Sequence, residues 1–146
     1  MPAIIKGGVH TDARGTIKFA NGFRMDEVKR FYCIHHTDVS TVRAWQAHRL
    51  EKKWFYVLEG AFKVVLVKPD NWEHPGELLP LMEFDLEASA NEVLYIPNGF
   101  ANGFKALHPN SKMMIYTDSH IEDAAKDDLR FSPDKWYDWE MHRPIN

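Results

Sequence analysis

The sequence lacks the features that mark secreted, membrane-spanning or nucleic-acid-binding proteins. It contains one cysteine, Cys33, which excludes an internal disulfide and suits a reducing compartment. No apolar run approaches the roughly 20 residues that a membrane-spanning helix needs, and residues 1–7 have the wrong order of charge and apolarity for a signal peptide. The formal net charge of −3 gives no reason to expect nucleic acid as a partner. We therefore expect a cytoplasmic protein.

Internal repeats, low-complexity tracts and long linkers are also missing, so the simplest prediction is one domain over residues 1–146. That length is sufficient to bury one hydrophobic core. Aromatic residues make up 13% of the chain, which suits a binding pocket or a subunit interface.

Short segments separated by turn residues dominate the chain and predict an all-β fold. Strand-like runs occupy residues 14–19, 28–36, 41–48, 53–58, 61–67, 78–86, 92–96, 101–106 and 112–117. Glu59 and Gly60 predict a tight hairpin between two runs that are apolar on both faces. Cys33 falls inside a strand and is predicted to be a small core residue. Only residues 120–128 have a helical composition. This pattern indicates an antiparallel barrel or sandwich with one short C-terminal helix.

Two segments carry a more specific signal, which lies in their spacing. The first contains Gln46, His48, Lys53 and Gly60, and the second contains Asn91, Pro97-Asn98-Gly99 and Asn102. Both spacings resemble the two motifs of cupin barrels, which carry His-x-His, an acid and a glycine, and then a glycine, Pro-x-Gly and a third histidine. The resemblance implies a jelly-roll-like cupin domain.

The residue types in these motifs do not suit a metal site. Gln46, Lys53 and Asn102 stand where metal-binding cupins carry histidine, an acid and histidine. A divalent ion prefers imidazole and carboxylate ligands, and a protonated lysine would repel it. We therefore expect no metal, and the resemblance to the family named below implies no organic cofactor.

Longer matching segments identify a particular group of cupin proteins. Over residues 12–139 the chain is similar to dTDP-4-dehydrorhamnose 3,5-epimerases and dTDP-sugar 3,4-ketoisomerases. The matching segments are Asp12-Ala13-Arg14-Gly15, Lys29-Arg30-Phe31-Tyr32-Cys33-Ile34, Val42-Arg43-Ala44-Trp45-Gln46-Ala47-His48-Arg49, Ile96-Pro97-Asn98-Gly99-Phe100-Ala101-Asn102-Gly103-Phe104 and Met114-Ile115-Tyr116-Thr117. The resemblance implies an isomerase or epimerase of a nucleotide-linked 4-keto-6-deoxy sugar in polysaccharide biosynthesis.

Such a reaction moves a proton next to a carbonyl, so it needs a base, a proton donor and a group that stabilises the enolate oxygen. The resemblance places Gln46 where the epimerases carry their histidine base, and a neutral amide cannot abstract a carbon-bound proton. His48 lies two residues on, faces the same side of a strand, and matches an active-site histidine of the ketoisomerases. His48 is therefore the candidate base, and the alternative is a structural histidine that hydrogen-bonds a neighbour.

The other candidate roles come from the resemblance as well. Lys53 matches the lysine beside the developing oxyanion, Tyr116 occupies the place of the catalytic tyrosine, and Asn102 replaces a histidine. Asp127 and Asp128 lie near the place of the carboxylate that orients the epimerase base. Each also has an ordinary structural or surface alternative.

Two arginines suit the diphosphate of a nucleotide sugar, because guanidinium groups match phosphate oxygens. They are Arg14 and Arg43, and a surface salt bridge is the alternative for either. In the family the arginine that Arg14 matches reaches into a partner subunit, which implies a homodimer. The aromatic segment 136–139 predicts a cover strand or an interface element.

Two functions remain open from the sequence. The first is a metal-independent epimerase or 3,4-ketoisomerase. The second is a sugar-nucleotide-binding cupin that lost the base when Gln46 and Asn102 replaced histidine.

Overall fold

Two five-stranded antiparallel sheets form the body of the molecule in a computed structural model that describes residues 1–145. The strands are β1 (Ala3–Lys6), β2 (Gly8–Asp12), β3 (Gly15–Phe19), β4 (Arg30–His36), β5 (Val42–His48), β6 (Lys53–Glu59), β7 (Ala61–Val67), β8 (Leu81–Glu87), β9 (Glu92–Ile96), β10 (Phe100–Ala106), β11 (Ser111–Thr117), β12 (Leu129–Arg130), β13 (Tyr137–Asp138) and β14 (Arg143–Pro144). The first sheet has the order β1-β9-β6-β11-β4, and the second has the order β12-β5-β10-β7-β8.

The main core lies between the two sheets, because alternate residues of each strand point inward. Phe55, Phe62, Phe104, Met113 and Ile115 are all fully buried in this interior. The all-β, jelly-roll-like class predicted from the sequence is confirmed. The sheets remain two separate hydrogen-bonded layers, so the arrangement is a sandwich and not a closed barrel.

The hairpin predicted at Glu59 and Gly60 is wrong. β6 pairs with β9 and β11 in the first sheet, whereas β7 pairs with β8 and β10 in the second. Each of the two strands already has a neighbour on both sides, so the link between them crosses from one sheet to the other. Gly60 makes this crossing with φ of 71°, and a Cβ there would collide with Ser111 Oγ.

A second apolar cluster covers the outer face of the second sheet. Trp136, Tyr137 and Trp139 pack there against Trp45, which lies on β5. The prediction that this aromatic segment is a cover element is therefore confirmed. Because both of its faces are covered, β7 is buried along nearly all of its length.

The predicted helical segment contains one short α-helix, α1 (Ile121–Ala124), followed by a 3₁₀ turn at Ala125–Asp127. In residues 1–145 no helix is long and apolar enough to cross a membrane. The prediction that Cys33 is a core residue is wrong, because its side chain lies on the exposed outer face of β4. The strand was located correctly, but its inward residues are the alternate set that includes Tyr32 and Ile34.

Candidate active site

A cavity of 260 Å³ opens between strands of both sheets and the segment that contains α1. Its walls are formed by Arg30, Tyr32, Gln46, His48, Glu51, Lys53, Ile121, Ala124, Ala125, Asp128 and Arg130. Clefts of 380 and 370 Å³ lie elsewhere, but among the described residues neither is lined by a buried histidine, lysine, arginine or carboxylate side chain. Three such side chains, His48, Glu51 and Lys53, meet in the smaller cavity, which makes it the candidate active site.

His48 is 6% exposed, and its two ring nitrogens have different environments. Nδ1 lies 2.9 Å from the backbone carbonyl oxygen of Asp127. A carbonyl oxygen can only accept, so Nδ1 must carry the proton in the neutral ring. Nε2 therefore holds a lone pair, and it is buried without a hydrogen-bond partner in the described part of the chain. A neutral imidazole in this tautomer is equipped to take a proton at Nε2.

The surroundings of His48 also favour the neutral ring. Burial lowers the pKa of His48 below its ordinary value, and the positive charge of Lys53 lowers it further. Glu51 and Asp127 act in the opposite direction without reversing the shift. His48 is therefore uncharged at neutral pH, the state that a general base requires.

Asp127 holds both the imidazole of His48 and the turn that follows it. Its carboxylate accepts hydrogen bonds from the backbone N–H groups of Arg49, Leu50 and Glu51, each at 2.9 Å. Its own carbonyl oxygen accepts the hydrogen bond from His48. The resemblance places Asp127 near the carboxylate that orients the epimerase base, and in the structure Asp127 contacts the imidazole of His48 through its backbone. Asp128 is exposed and pairs with Arg130 instead.

Lys53 is a buried cation that lines the cavity, and it is only 4% exposed. Its Nζ donates a hydrogen bond to the hydroxyl of Tyr32 at 3.1 Å. The guanidinium of Arg30 lies 5.2 Å from the centroid of the same tyrosine ring. Together these groups place positive charge and a phenol O–H on one wall of the cavity, where an oxyanion would be stabilised.

Tyr32 is the functional candidate that the sequence reasoning missed. The alternating exposure along β4 turns Arg30, Tyr32, Ile34 and His36 inward. A period-two pattern was visible in the sequence, but the face that points inward depends on which strands cover β4.

Gln46 and Asn102 lie opposite each other on β5 and β10. Gln46 lines the cavity on the same side as His48, as the sequence predicts. Asn102 is buried, and its Nδ2 donates to the backbone carbonyl of Gln46 at 3.3 Å. Its Oδ1 has no partner among residues 1–145, so it can accept a hydrogen bond.

Asn102 is not among the residues that line this cavity, and three other predicted site residues are not brought to it either. Tyr116 pairs with Trp54 and packs against Phe23 on the outer face of the first sheet. The side chain of Arg14 is 86% exposed in the β2–β3 hairpin and forms an ion pair with Asp12 at 2.7 Å. These positions separate Tyr116 and Arg14 from His48 within one chain.

Arg43 is the third of these residues. Its Nε donates to Nε2 of His36 at 3.1 Å. His36 is at the opposite end of β4 from Arg30, so Arg43 lies far from the cavity along the sheet.

The ligand atoms of His48, Glu51 and Asp127 lie within 4.8 Å of one another, close enough to be considered as a metal site. Both carboxylate oxygens of Asp127 already accept backbone N–H groups, and Glu51 forms an ion pair with Arg30 at 3.1 Å. Nδ1 of His48 carries a proton towards the Asp127 carbonyl. These contacts form a hydrogen-bonded network that supports the histidine, and they occupy Nδ1 of His48, both carboxylate oxygens of Asp127 and one oxygen of Glu51.

A family model described as dTDP-4-dehydrorhamnose 3,5-epimerase matches residues 3–143. The chain belongs to this family. No curated protein sequence matches it. Its membership agrees with the two motifs around Gln46 and Asn102, although both residues differ from the histidines of the motif pattern.

Several solved structures share the fold. The RmlC epimerase of Mycobacterium tuberculosis is similar with a TM-score of 0.72 and 19% identity, over 90% of this chain and 69% of that one. A dTDP-4-dehydrorhamnose 3,5-epimerase from Bacillus anthracis, with TDP and PPi bound, gives 0.75 and 19%, over 91% and 79%. A histidine-to-asparagine mutant of the 3,4-ketoisomerase QdtA from Thermoanaerobacterium thermosaccharolyticum, in complex with TDP-4-keto-6-deoxyglucose, gives 0.70 and 19%, over 89% and 87%.

Proposed function

We propose that this protein is an isomerase or epimerase that acts on a nucleotide-linked 4-keto-6-deoxy sugar by removing a proton next to the keto group. The observation that carries the proposal is the buried, unpartnered Nε2 of His48, in a tautomer fixed by the Asp127 carbonyl, within a cavity that also contains Lys53. A base and a cation therefore line one cavity, and these are two of the groups that enolisation requires. The TDP and TDP-sugar ligands of the related structures support a nucleotide sugar as the substrate.

In the proposed step, the C–H bond beside the keto group breaks and its proton moves to Nε2 of His48. The electron pair of that bond shifts towards the carbonyl, and negative charge develops on the carbonyl oxygen. Lys53 Nζ and the Tyr32 hydroxyl, which are 3.1 Å apart, would donate hydrogen bonds to that oxygen. Side chains of this chain supply each part of the step, so the proposal includes no metal or organic cofactor.

The second candidate function is a binding protein that no longer turns its ligand over. Gln46 and Asn102 favour it, because these paired residues carry amide side chains, which cannot take up a proton, where the family pattern has histidine. Asn102 is also hydrogen-bonded to the Gln46 backbone. Both candidates predict binding of a nucleotide sugar. Only the first predicts that a carbon-bound proton exchanges with solvent.

The deciding experiment is proton NMR of dTDP-4-keto-6-deoxyglucose in deuterated water with the purified protein. We expect deuterium at C3 or C5, and migration of the carbonyl together with exchange at C3 would identify a ketoisomerase. His48→Asn should lower the exchange rate by about 10²-fold or more, the scale of a general-base contribution. His36→Asn is the matched control, because His36 is also buried but lies away from the cavity.

Exchange at the wild-type rate in His48→Asn would remove His48 from the mechanism. Absence of exchange in the wild-type protein, with saturation transfer showing a bound nucleotide, would favour the binding protein.

We further propose that the protein is a cytoplasmic homodimer. Four apolar side chains of these elements are each 41–66% exposed. Val9, Ile17 and Phe19 are on the β2–β3 hairpin, and Phe31 is on the outer face of β4. A surface of this kind is typical of a subunit interface. Arg14 lies on the same hairpin, so it would be able to contact a second subunit bound there.

A further inference from the structure

We propose that Glu51 is the carboxylate partner of the candidate base, a positioning residue that neutralises the imidazolium formed when His48 takes a proton at Nε2. This inference deepens the proposed function and rests on it. It assigns a role to the buried carboxylate of Glu51, which accepts none of the backbone hydrogen bonds that hold the turn at residues 49–51.

The geometry around Glu51 is unusual for an acid. Its side chain is 0% exposed, and its Oε1 accepts a hydrogen bond from Arg30 at 3.1 Å. Its Oε2 lies 3.4 Å from Nδ1 of His48 and has no hydrogen-bond partner within the described chain. Buried carboxylate oxygens are normally hydrogen-bonded, so an unused one beside an imidazole calls for an explanation.

Asp127 is not available for this role. Its carboxylate oxygens accept three backbone N–H groups, and it meets the imidazole only through its carbonyl oxygen. The resting ring needs no charged partner, because it is neutral and its Nδ1–H already has an acceptor. The requirement arises when the ring becomes cationic.

During the proposed step, the proton from carbon bonds to Nε2 and the ring acquires one positive charge, while Nδ1 keeps its own proton. Lys53 faces the ring and opposes this charge, whereas Glu51 and Asp127 favour it. Arg30 pairs with Glu51 from the other side and holds its carboxylate in place. An opposite charge within about 4 Å stabilises a cation in a buried site and speeds a step that creates one.

The test is the pKa of His48, measured by following its ring signals through a pH titration by NMR. Glu51→Gln should lower this pKa by roughly one to three units, the range expected for loss of an adjacent opposite charge. Asp128→Asn is the matched control, because Asp128 lines the same cavity but pairs with Arg130 and should leave the pKa unchanged. In the deuterium-exchange assay, Glu51→Gln should slow exchange by about tenfold or more.

A second measurement needs no substitution. In the wild-type protein labelled with ¹³C at glutamate side chains, the carboxyl signal of Glu51 should shift at the pH where His48 titrates. This measurement tests the inference even if the Glu51→Gln variant does not fold. A His48 pKa that is equal in Glu51→Gln and Asp128→Asn, or a Glu51 signal that does not follow His48, overturns the inference. Failure of the proposed function is a different result, namely no exchange by the wild-type protein.

Discussion

Two buried histidines, His36 and His48, give the protein a pH dependence that can be derived at the level of single residues. Burial is the main cause that lowers the pKa of each, and a nearby cation adds to it, Arg43 for His36 and Lys53 for His48. The folded state therefore resists protonation at both rings, whereas the unfolded chain takes up protons near the ordinary value of 6.5. Linkage then requires that the free energy of unfolding falls as pH decreases through that value.

We expect urea unfolding to give a lower stability at about pH 5 than at about pH 8, with the loss levelling off below the two folded-state pKa values. His36→Asn removes one of the two groups, so it should reduce the slope of stability against pH without abolishing it. Equal stabilities at the two pH values in the wild-type protein would contradict the assignment of both rings as neutral buried groups.

Sequence reasoning located some site residues and missed others for one physical reason. Gln46 and His48 share a face because they are two residues apart in a strand, and Lys53 was expected to face inward. The inward faces that decide the roles of Tyr32 and Tyr116 could not be read in this way, because β4 carries aromatic residues on both faces and β11 carries apolar residues on both faces. Local alternation fixes which residues share a face, but the covering elements decide which face is inside.

At the level of elements, the turn at residues 49–51 depends on one side chain from a distant segment. Three consecutive backbone N–H groups, those of Arg49, Leu50 and Glu51, donate to the carboxylate of Asp127. The arrangement resembles a helix cap, in which one acid satisfies several backbone donors. It joins the end of β5, which contains His48, to the turn that follows α1.

Asp127→Ala should therefore lower the free energy of unfolding by about 2 to 4 kcal/mol, because it leaves one buried and two half-buried backbone donors unsatisfied. Amide hydrogen exchange at residues 49–51 should accelerate more than exchange at β6. Urea unfolding and exchange mass spectrometry would measure the two effects. The exposed neighbour provides the comparison, since Asp128→Asn should change neither, and an Asp127→Ala protein as stable as Asp128→Asn would contradict this role.

Strand positions were largely predictable from the sequence, whereas strand partners were not. The runs at Ala61–Val67 and Glu92–Ile96 were predicted with the bounds that the structure has. The error at Gly60 concerned pairing, because a glycine turn between two apolar strands is compatible with a hairpin and with a crossing between sheets. Only the long-range pairing of β6 with β9 and β11 distinguishes the two.

At the level of the whole molecule, the apolar surface on the first sheet is the least expected feature of an isolated subunit. Phe31 is 66% exposed on the edge strand β4, and Tyr116 packs beside it on the same face. Phe19 of the β2–β3 hairpin lines a cleft with Tyr116 and Phe23. The outer face of the second sheet is covered by the Trp136–Trp139 segment, whereas the outer face of the first sheet leaves Phe31 exposed.

We expect light scattering after size exclusion to give twice the chain mass of 17.0 kDa for the wild-type protein. Phe31→Glu places a charge in the proposed interface and should shift the mass towards that of one chain, since burying an unpaired carboxylate is costly. Leu78→Glu is the matched control, because Leu78 is 75% exposed but lies in the loop before β8 and should leave the mass unchanged. A wild-type protein with the mass of one chain would contradict the dimer, and Arg14 would then have no partner subunit to reach.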